Sequence, residues 1–355
     1  MAINFQYYVH ESDKAALKTL KAIPGFHQFV KAFMKIWSER QFRISNMSSC
    51  IRINEKQLSE YYNMLPPICD KLGINVPELY LQLDVNPNSY TSGDTKPFIV
   101  VTSGLLETIP NELISTVLAH ECGHIACHHV LYRTMGNIIL NGTTNALRSF
   151  VPYGGLATLP LEAAFFYWMR CSELSADRAA VLCDGSADMM SEVCMRLAGY
   201  DKDIHAIASK EEFMMQAQEY REMTRESKWD KTLEFLILSE KSHPLMTVRA
   251  LECEEWVKSE QYQKIVDGTY LLEEQQLEEE EATHYQVVND DTEKKSRSKF
   301  EFPKFMKRQK DEVFEEDGQE HFSIPDEIRK YKELMDDGII TEEEFVEKKK
   351  QLLKL

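Results

Sequence analysis

The stretch LAHECGHIACHH (118–129) sets His120, Glu121 and His124 inside an otherwise apolar run. Burying two imidazoles and a carboxylate is costly unless a partner satisfies them. His120 and His124 are four residues apart, so on a helix they project from one face, where two imidazoles can grip one ion. Glu121, one position round, points beside that ion and is placed to act as a base on water. The plain alternative is a helix whose two histidines are satisfied by ordinary hydrogen bonds.

Catalytic zinc takes three protein ligands and keeps a further position for water. The third ligand is expected on a second helix, and RCSELSADRAA (170–180) offers Glu173. Asp177, one turn later on the same face, can reach the far ring nitrogen of a ligating histidine and fix its tautomer. Such E-x-x-x-D pairs also decorate solvated faces, but Ala176, Ala179 and Ala180 surround this one and permit close helix approach. His128 continues the 120–124 stripe and is expected to pack behind the site, with His129 exposed. Cys122 reads as a small core residue.

The elements that must hold these residues follow from periodicity. Helical spacing covers 11–72, with turns at Pro24-Gly25 and near 43–49, and the last helix (55–72) ends at Gly73. LYLQLDV (79–85) alternates and FIVVT (98–102) is β-branched, which predicts a hairpin-like pair of strands. A helix capped at Asn111 is expected to run through both histidines to about Arg133. Further helices are predicted over 160–183, 185–199, 210–225 and 244–263. From 267 to 322 the chain turns to mixed charge, with six glutamates in EEQQLEEEE (273–281), and reads as a solvated linker. Thr341 and Glu344 form a capping box within a two-helix module over 323–355.

Composition narrows the function classes. The chain has 355 residues and a net charge of −17, which argues against a nucleic-acid partner. Its eight cysteines form no C-x-x-C pair, and the N-terminus shows no apolar signal segment. A reducing cytoplasm is the expected location. The most apolar region, 135–169, is broken by Asn, Thr, Gly and Pro and reaches no run of ~18–20 apolar residues. A soluble core or a surface-seated hairpin is expected there, so any membrane contact would be peripheral.

Four stretches, IVVTSGLL (99–106), LAHECGHIACHH, SELSADRAA (172–180) and SHPLMTVRAL (242–251), occur in an order that resembles the gluzincin metallopeptidases of the HtpX and CAAX prenyl endopeptidase type, metallopeptidase family forty-eight. The resemblance spans about 75–262. It implies an α+β, mostly helical, zincin-like catalytic domain with a small β-sheet. It also implies one Zn2+ per chain on His120, His124 and Glu173, with Glu121 as general base in peptide hydrolysis. His243 and Arg249 would sit across the cleft as oxyanion donors. NPNSYTSG (86–93) looks like that family's edge-strand segment, making Asn88, Ser89, Tyr90 and Thr91 candidate substrate-binding residues. The family's transmembrane helices have no counterpart here, which removes the main support for a prenylated substrate. GIITEEEF in the last module is similar to the short C-terminal domain SHOCT, which implies assembly, including homo-oligomers. The expected layout is thus a helical extension (1–74), a peptidase domain (75–266), the linker and the module. The competing reading is a non-catalytic, zinc-stabilised assembly protein, which would have no need of Glu121.

Overall fold

The computed structural model describes residues 2–23, 26–36, 38–140, 159–199, 208–226 and 245–270. The expected linker and two-helix module lie outside these residues, apart from the first few positions of the linker. His243 and much of 135–169 also lie outside them. Among the described residues no helix is long and apolar enough to cross a membrane.

After a short 3-10 turn come α1 (Glu11–Lys21), α2 (Phe26–Ile36) and α3 (Glu39–Ser49), then strand β1 (Ile51–Ile53), α4 (Ser59–Tyr62) and α5 (Leu65–Leu72). Gly73 closes α5 in the left-handed region at φ 70°, a conformation glycine adopts without a Cβ penalty. Three strands follow: β2 (Glu78–Gln82), β3 (Ser89–Ser92) and β4 (Phe98–Thr102). The helical remainder is α6 (Ser103–Thr108), α7 (Asn111–Ala126), α8 (Val130–Leu140), α9 (Leu159–Asp184), α10 (Asp188–Gly199), α11 (Lys210–Glu226), α12 (Met246–Trp256) and α13 (Glu260–Val266).

The sheet order is β1-β2-β4-β3. The expected hairpin is therefore not formed: β2 and β4 pair in parallel, and β3, from the connecting segment, pairs antiparallel with β4. The fifteen residues between β2 and β4 leave room for a crossover, which alternation alone does not reveal. β3 is an edge strand, as the 86–93 segment led one to expect. Two further expectations are corrected. The turn near 43–49 is the last part of α3, and β1 adds a strand inside the region read as all helix.

The helix expected to reach Arg133 stops at Ala126. His128 takes φ 58°, a left-handed conformation that His adopts more readily than most side chains. The amide of His129 donates to the carbonyl of His124 at 2.9 Å, and that of His128 to Ile125 at 3.1 Å. This is a Schellman cap with histidine where glycine is usual. The chain restarts as α8 two residues later.

Among the described residues two large apolar cores result, beside a small cluster of Tyr80, Phe98 and Val100. The larger joins α5, the sheet, α7, the C-terminal part of α9 and α10 with α12 and α13. The smaller gathers Phe26, Phe33, Tyr132, Phe165 and Trp168 between α1, α2, α8 and the N-terminal half of α9. Residues 1–74 thus share their packing with the rest: α1 lies along α9, and β1 completes the sheet.

Candidate metal centre

Helix α7 is buried on nearly every side, so its polar residues must be satisfied internally. It crosses α9 at Gly123. A Cβ at that glycine would come within 2.7 Å of the Ala179 Cβ and 3.0 Å of Ala176. The small residues on both helices bring the backbones close enough for Glu173 to meet the histidines. His120 Nε2 lies 3.4 Å from Glu173 Oε2, and His124 Nε2 lies 3.4 Å from Glu173 Oε1. One ligand atom from each of the three residues falls within 4.8 Å of the others.

Two observations test whether a cation fits. His124 Nε2 is buried, has no hydrogen-bond partner among the described residues and faces a carboxylate, an arrangement that a metal ion would satisfy. Among the described residues the buried charges also fail to balance. Asp13, Glu121, Glu173 and Asp177 stand against Arg133 and Arg249, all at most 4 % exposed. With neutral histidines two negative charges remain, the complement of one divalent ion. The field of these charges acts on the histidines. Burial works against a proton on His120, but hydrogen bonds to Asp177 and Glu173 raise its pKa to about 9. Burial and the Arg133 charge push His124 well below the usual histidine value.

The candidate ligands are held from behind. Asp177 Oδ1 lies 2.8 Å from His120 Nδ1, the contact expected of a carboxylate fixing a ligand's tautomer. Arg249 grips Asp177 with two bonds, Nε to Oδ2 at 2.7 Å and Nη2 to Oδ1 at 2.6 Å, and its Nη1 lies 3.2 Å from Glu173 Oε2. Burial raises the Asp177 pKa, but Arg249 and His120 outweigh it and hold the carboxyl low. Arg249 is therefore engaged with the ligand-bearing helix and is not a donor aimed across a cleft. A guanidinium shared by two buried carboxylates is held there by charge. Arg133 donates to Glu173 Oε1 at 2.5 Å and to Ser172 Oγ at 3.0 Å.

Glu121 is fully buried. Its Oε1 accepts from Ser89 Oγ at 2.7 Å and its Oε2 from Thr91 Oγ1 at 2.7 Å. The strand period places Ser89 and Thr91 on one face of β3 and turns Tyr90 to the other, where its hydroxyl donates to Gln82. Asn88 ties the strand to β4 through its amide and Thr102 Oγ1.

The two trailing histidines exchange their expected places. His128 is exposed, and His129 is 2 % exposed. The cap breaks the helical phase at His128 and swings the next side chain inward. His129 Nδ1 lies 3.0 Å from His124 Nδ1, and its Nε2 lies 2.9 Å from Asp13. Asp13, His129 and Arg133 are the members that sequence reasoning missed. Asp13 reads as an ordinary acidic residue in a first helical turn. Arg133 carried a signal only as a charge within an apolar helix.

Comparison with known proteins gives two family matches and several named relatives. A family model described as Peptidase family M48 matches residues 63–257, and one for the short C-terminal domain SHOCT matches 326–353. The chain is 33% identical over 261 residues to the Plastoglobule-localized metallopeptidase 48, chloroplastic, of Arabidopsis thaliana, covering 72% of this chain and 74% of that protein. It is 23% identical over 199 residues to a Protease HtpX homolog of Ralstonia pickettii (strain 12J), covering 50% of this chain and 69% of the relative. No solved structure matches.

Proposed function

Because the chain belongs to peptidase family M48 and is a metalloendopeptidase, we propose that it hydrolyses peptide bonds at a zinc ion held by His120, His124 and Glu173, with Glu121 as general base. The observation that carries this reading is the convergence of those three ligands beside a fully buried glutamate that a purely structural metal would not require. Zinc in such a site supplies Lewis-acid charge for a peptide carbonyl and lowers the pKa of water. Glu121 takes the proton of the attacking water and returns it to the leaving amine. Ser89 and Thr91 fix both of its oxygens, and each oxygen keeps a further lone pair for that water. Asp177 and Arg249 hold His120, while Arg133 holds Glu173. His243 is assigned to the oxyanion side on the sequence match alone.

Substrate adds as an extended strand at the free edge of β3, with backbone hydrogen bonds giving broad sequence tolerance. The eight cysteines are all unpaired, which supports a reducing compartment such as the cytoplasm. The plastoglobule named for the plant relative makes a lipid surface the one to test for peripheral docking through 135–169. The SHOCT segment is assigned to assembly of copies of the chain.

Zinc analysis beside a peptide-cleavage assay tests the core of this reading. Glu121→Gln should keep about one zinc per chain and lose ~100-fold or more in turnover, the general acid–base share. His124→Ala should lose the metal. Full activity in Glu121→Gln would end the mechanism, and zinc-loaded wild-type protein that cleaves no peptide would leave the assembly protein as the better account.

A further inference from the structure

We propose that Asp13, acting through His129, is a positioning residue for the metal ligand His124, so that the first helix of the chain is part of the metal centre. This rests on the reading of His124 as a ligand. Asp13 Oδ2 lies 2.9 Å from His129 Nε2, and His129 Nδ1 lies 3.0 Å from His124 Nδ1. The three side chains are at most 2 % exposed, so water does not compete for these contacts.

The protonation pattern follows by elimination. His124 can ligate through Nε2 only if that nitrogen carries no proton, so its proton sits on Nδ1. Nδ1 then donates, and His129 Nδ1 must accept. A neutral His129 that accepts at Nδ1 carries its proton at Nε2, which donates to the Asp13 carboxylate. Asp13 is thereby the fixed end of a chain with one direction. The result parallels the other ligand: Asp177 holds His120 directly, and Asp13 holds His124 through one intervening imidazole.

Local structure supplies the reason for the detour. In the cap that ends α7, His129 stands at the position whose side chain meets that of His124. Asp13 is held in turn by Trp168 Nε1 at 2.9 Å and Ser175 Oγ at 2.6 Å, both from α9. The same helix that carries Glu173 therefore aims the carboxylate. A residue that served only to anchor α1 would need these two bonds and no contact with His129.

The test measures zinc affinity in the full-length protein by competition with a chromophoric chelator, with melting temperature recorded in parallel. Asp13→Asn and His129→Phe should each bind zinc ~10–100-fold more weakly, the usual cost of removing an outer partner of a ligand. Trp168→Phe removes a bond to Asp13 but leaves the relay intact; it should lower the melting temperature and keep zinc affinity within a few-fold. Equal weakening in Trp168→Phe would reduce the effect to a loosened core and overturn the proposal. So would wild-type affinity in both relay variants while wild-type protein holds zinc. A wild-type chain that binds no zinc would instead remove the metal reading, and the relay with it. A spectroscopic measurement needs no variant: imidazole nitrogen shifts in the zinc-loaded protein should show His124 protonated at Nδ1 and His129 at Nε2. A proton on His129 Nδ1 would overturn the relay.

Discussion

The Glu121 carboxylate accepts one hydroxyl on each oxygen, from Ser89 and Thr91, and both donors come from the strand proposed to receive substrate. Their side chains are turned to the base, so their contribution to substrate comes from the backbone. A hydrogen bond to a buried charge contributes about 1.5–3 kcal/mol, or roughly 10–100-fold in rate if it is needed in the transition state. Thr91→Val keeps the shape and removes the hydroxyl. It should lower kcat by that factor, leave KM within a few-fold and retain zinc, while Thr91→Ser should recover most of the rate. A rise in KM with kcat unchanged would return these hydroxyls to the substrate. The same scale sets how far the sequence could be read. His120, Glu121, His124, Glu173 and Asp177 were legible because helical spacing puts them on faces with a purpose. Arg249 was legible as a member of the site, but its partners were not. Whether a guanidinium faces a cleft or two carboxylates depends on how helices cross.

The crossing of α7 and α9 is the element that turns two motifs into one centre. Gly123 sits inside H-E-x-x-H, and the space a side chain would need there belongs to Ala176 and Ala179. Gly123→Ala should therefore part the helices and cost ~1–3 kcal/mol, the range for overpacking a filled interface. Zinc affinity should fall with it. Combining it with Ala179→Gly should recover part of both losses, and thermal melts with metal titration would check this. Additive damage in the pair would place the cause elsewhere. The sequence announced the alanines around Asp177 and thus the closeness of this crossing. It did not announce the end of α7, because no glycine or proline falls between His124 and Met135. A left-handed histidine does that work, and no propensity scale marks one histidine for it. The parallel pairing of β2 and β4 was hidden for a similar reason: alternation fixes which face a strand buries, not which strand lies beside it.

Across the molecule, the described chain ends at Tyr270, which is buried and packs against Tyr7 with ring centroids 4.5 Å apart. A chain ending at Tyr270 should fold and bind zinc. One ending at Asp267, the boundary suggested by composition, should melt several degrees lower, since it forfeits an aromatic pair of about 0.5–1.5 kcal/mol and the burial that goes with it. Equal melting temperatures would show that Tyr270 adds nothing to the core. Composition suggested a boundary near 266 but could not see a contact with the early part of the chain. That contact is one of several that join early residues to late ones. Asp13 reaches His129 from α1, and Arg249 reaches Asp177 from α12. Synthesis on the ribosome delivers Asp13 before the H-E-x-x-H helix and Arg249 well after it. The H-E-x-x-H helix emerges about midway, with Asp13 already made but without Arg133, Glu173, Asp177 and Arg249. Metal loading then becomes a late event, coupled to completion of the chain. A nascent or prematurely ended polypeptide carries the motif without the activity, and the cell is spared a peptidase that is only half made.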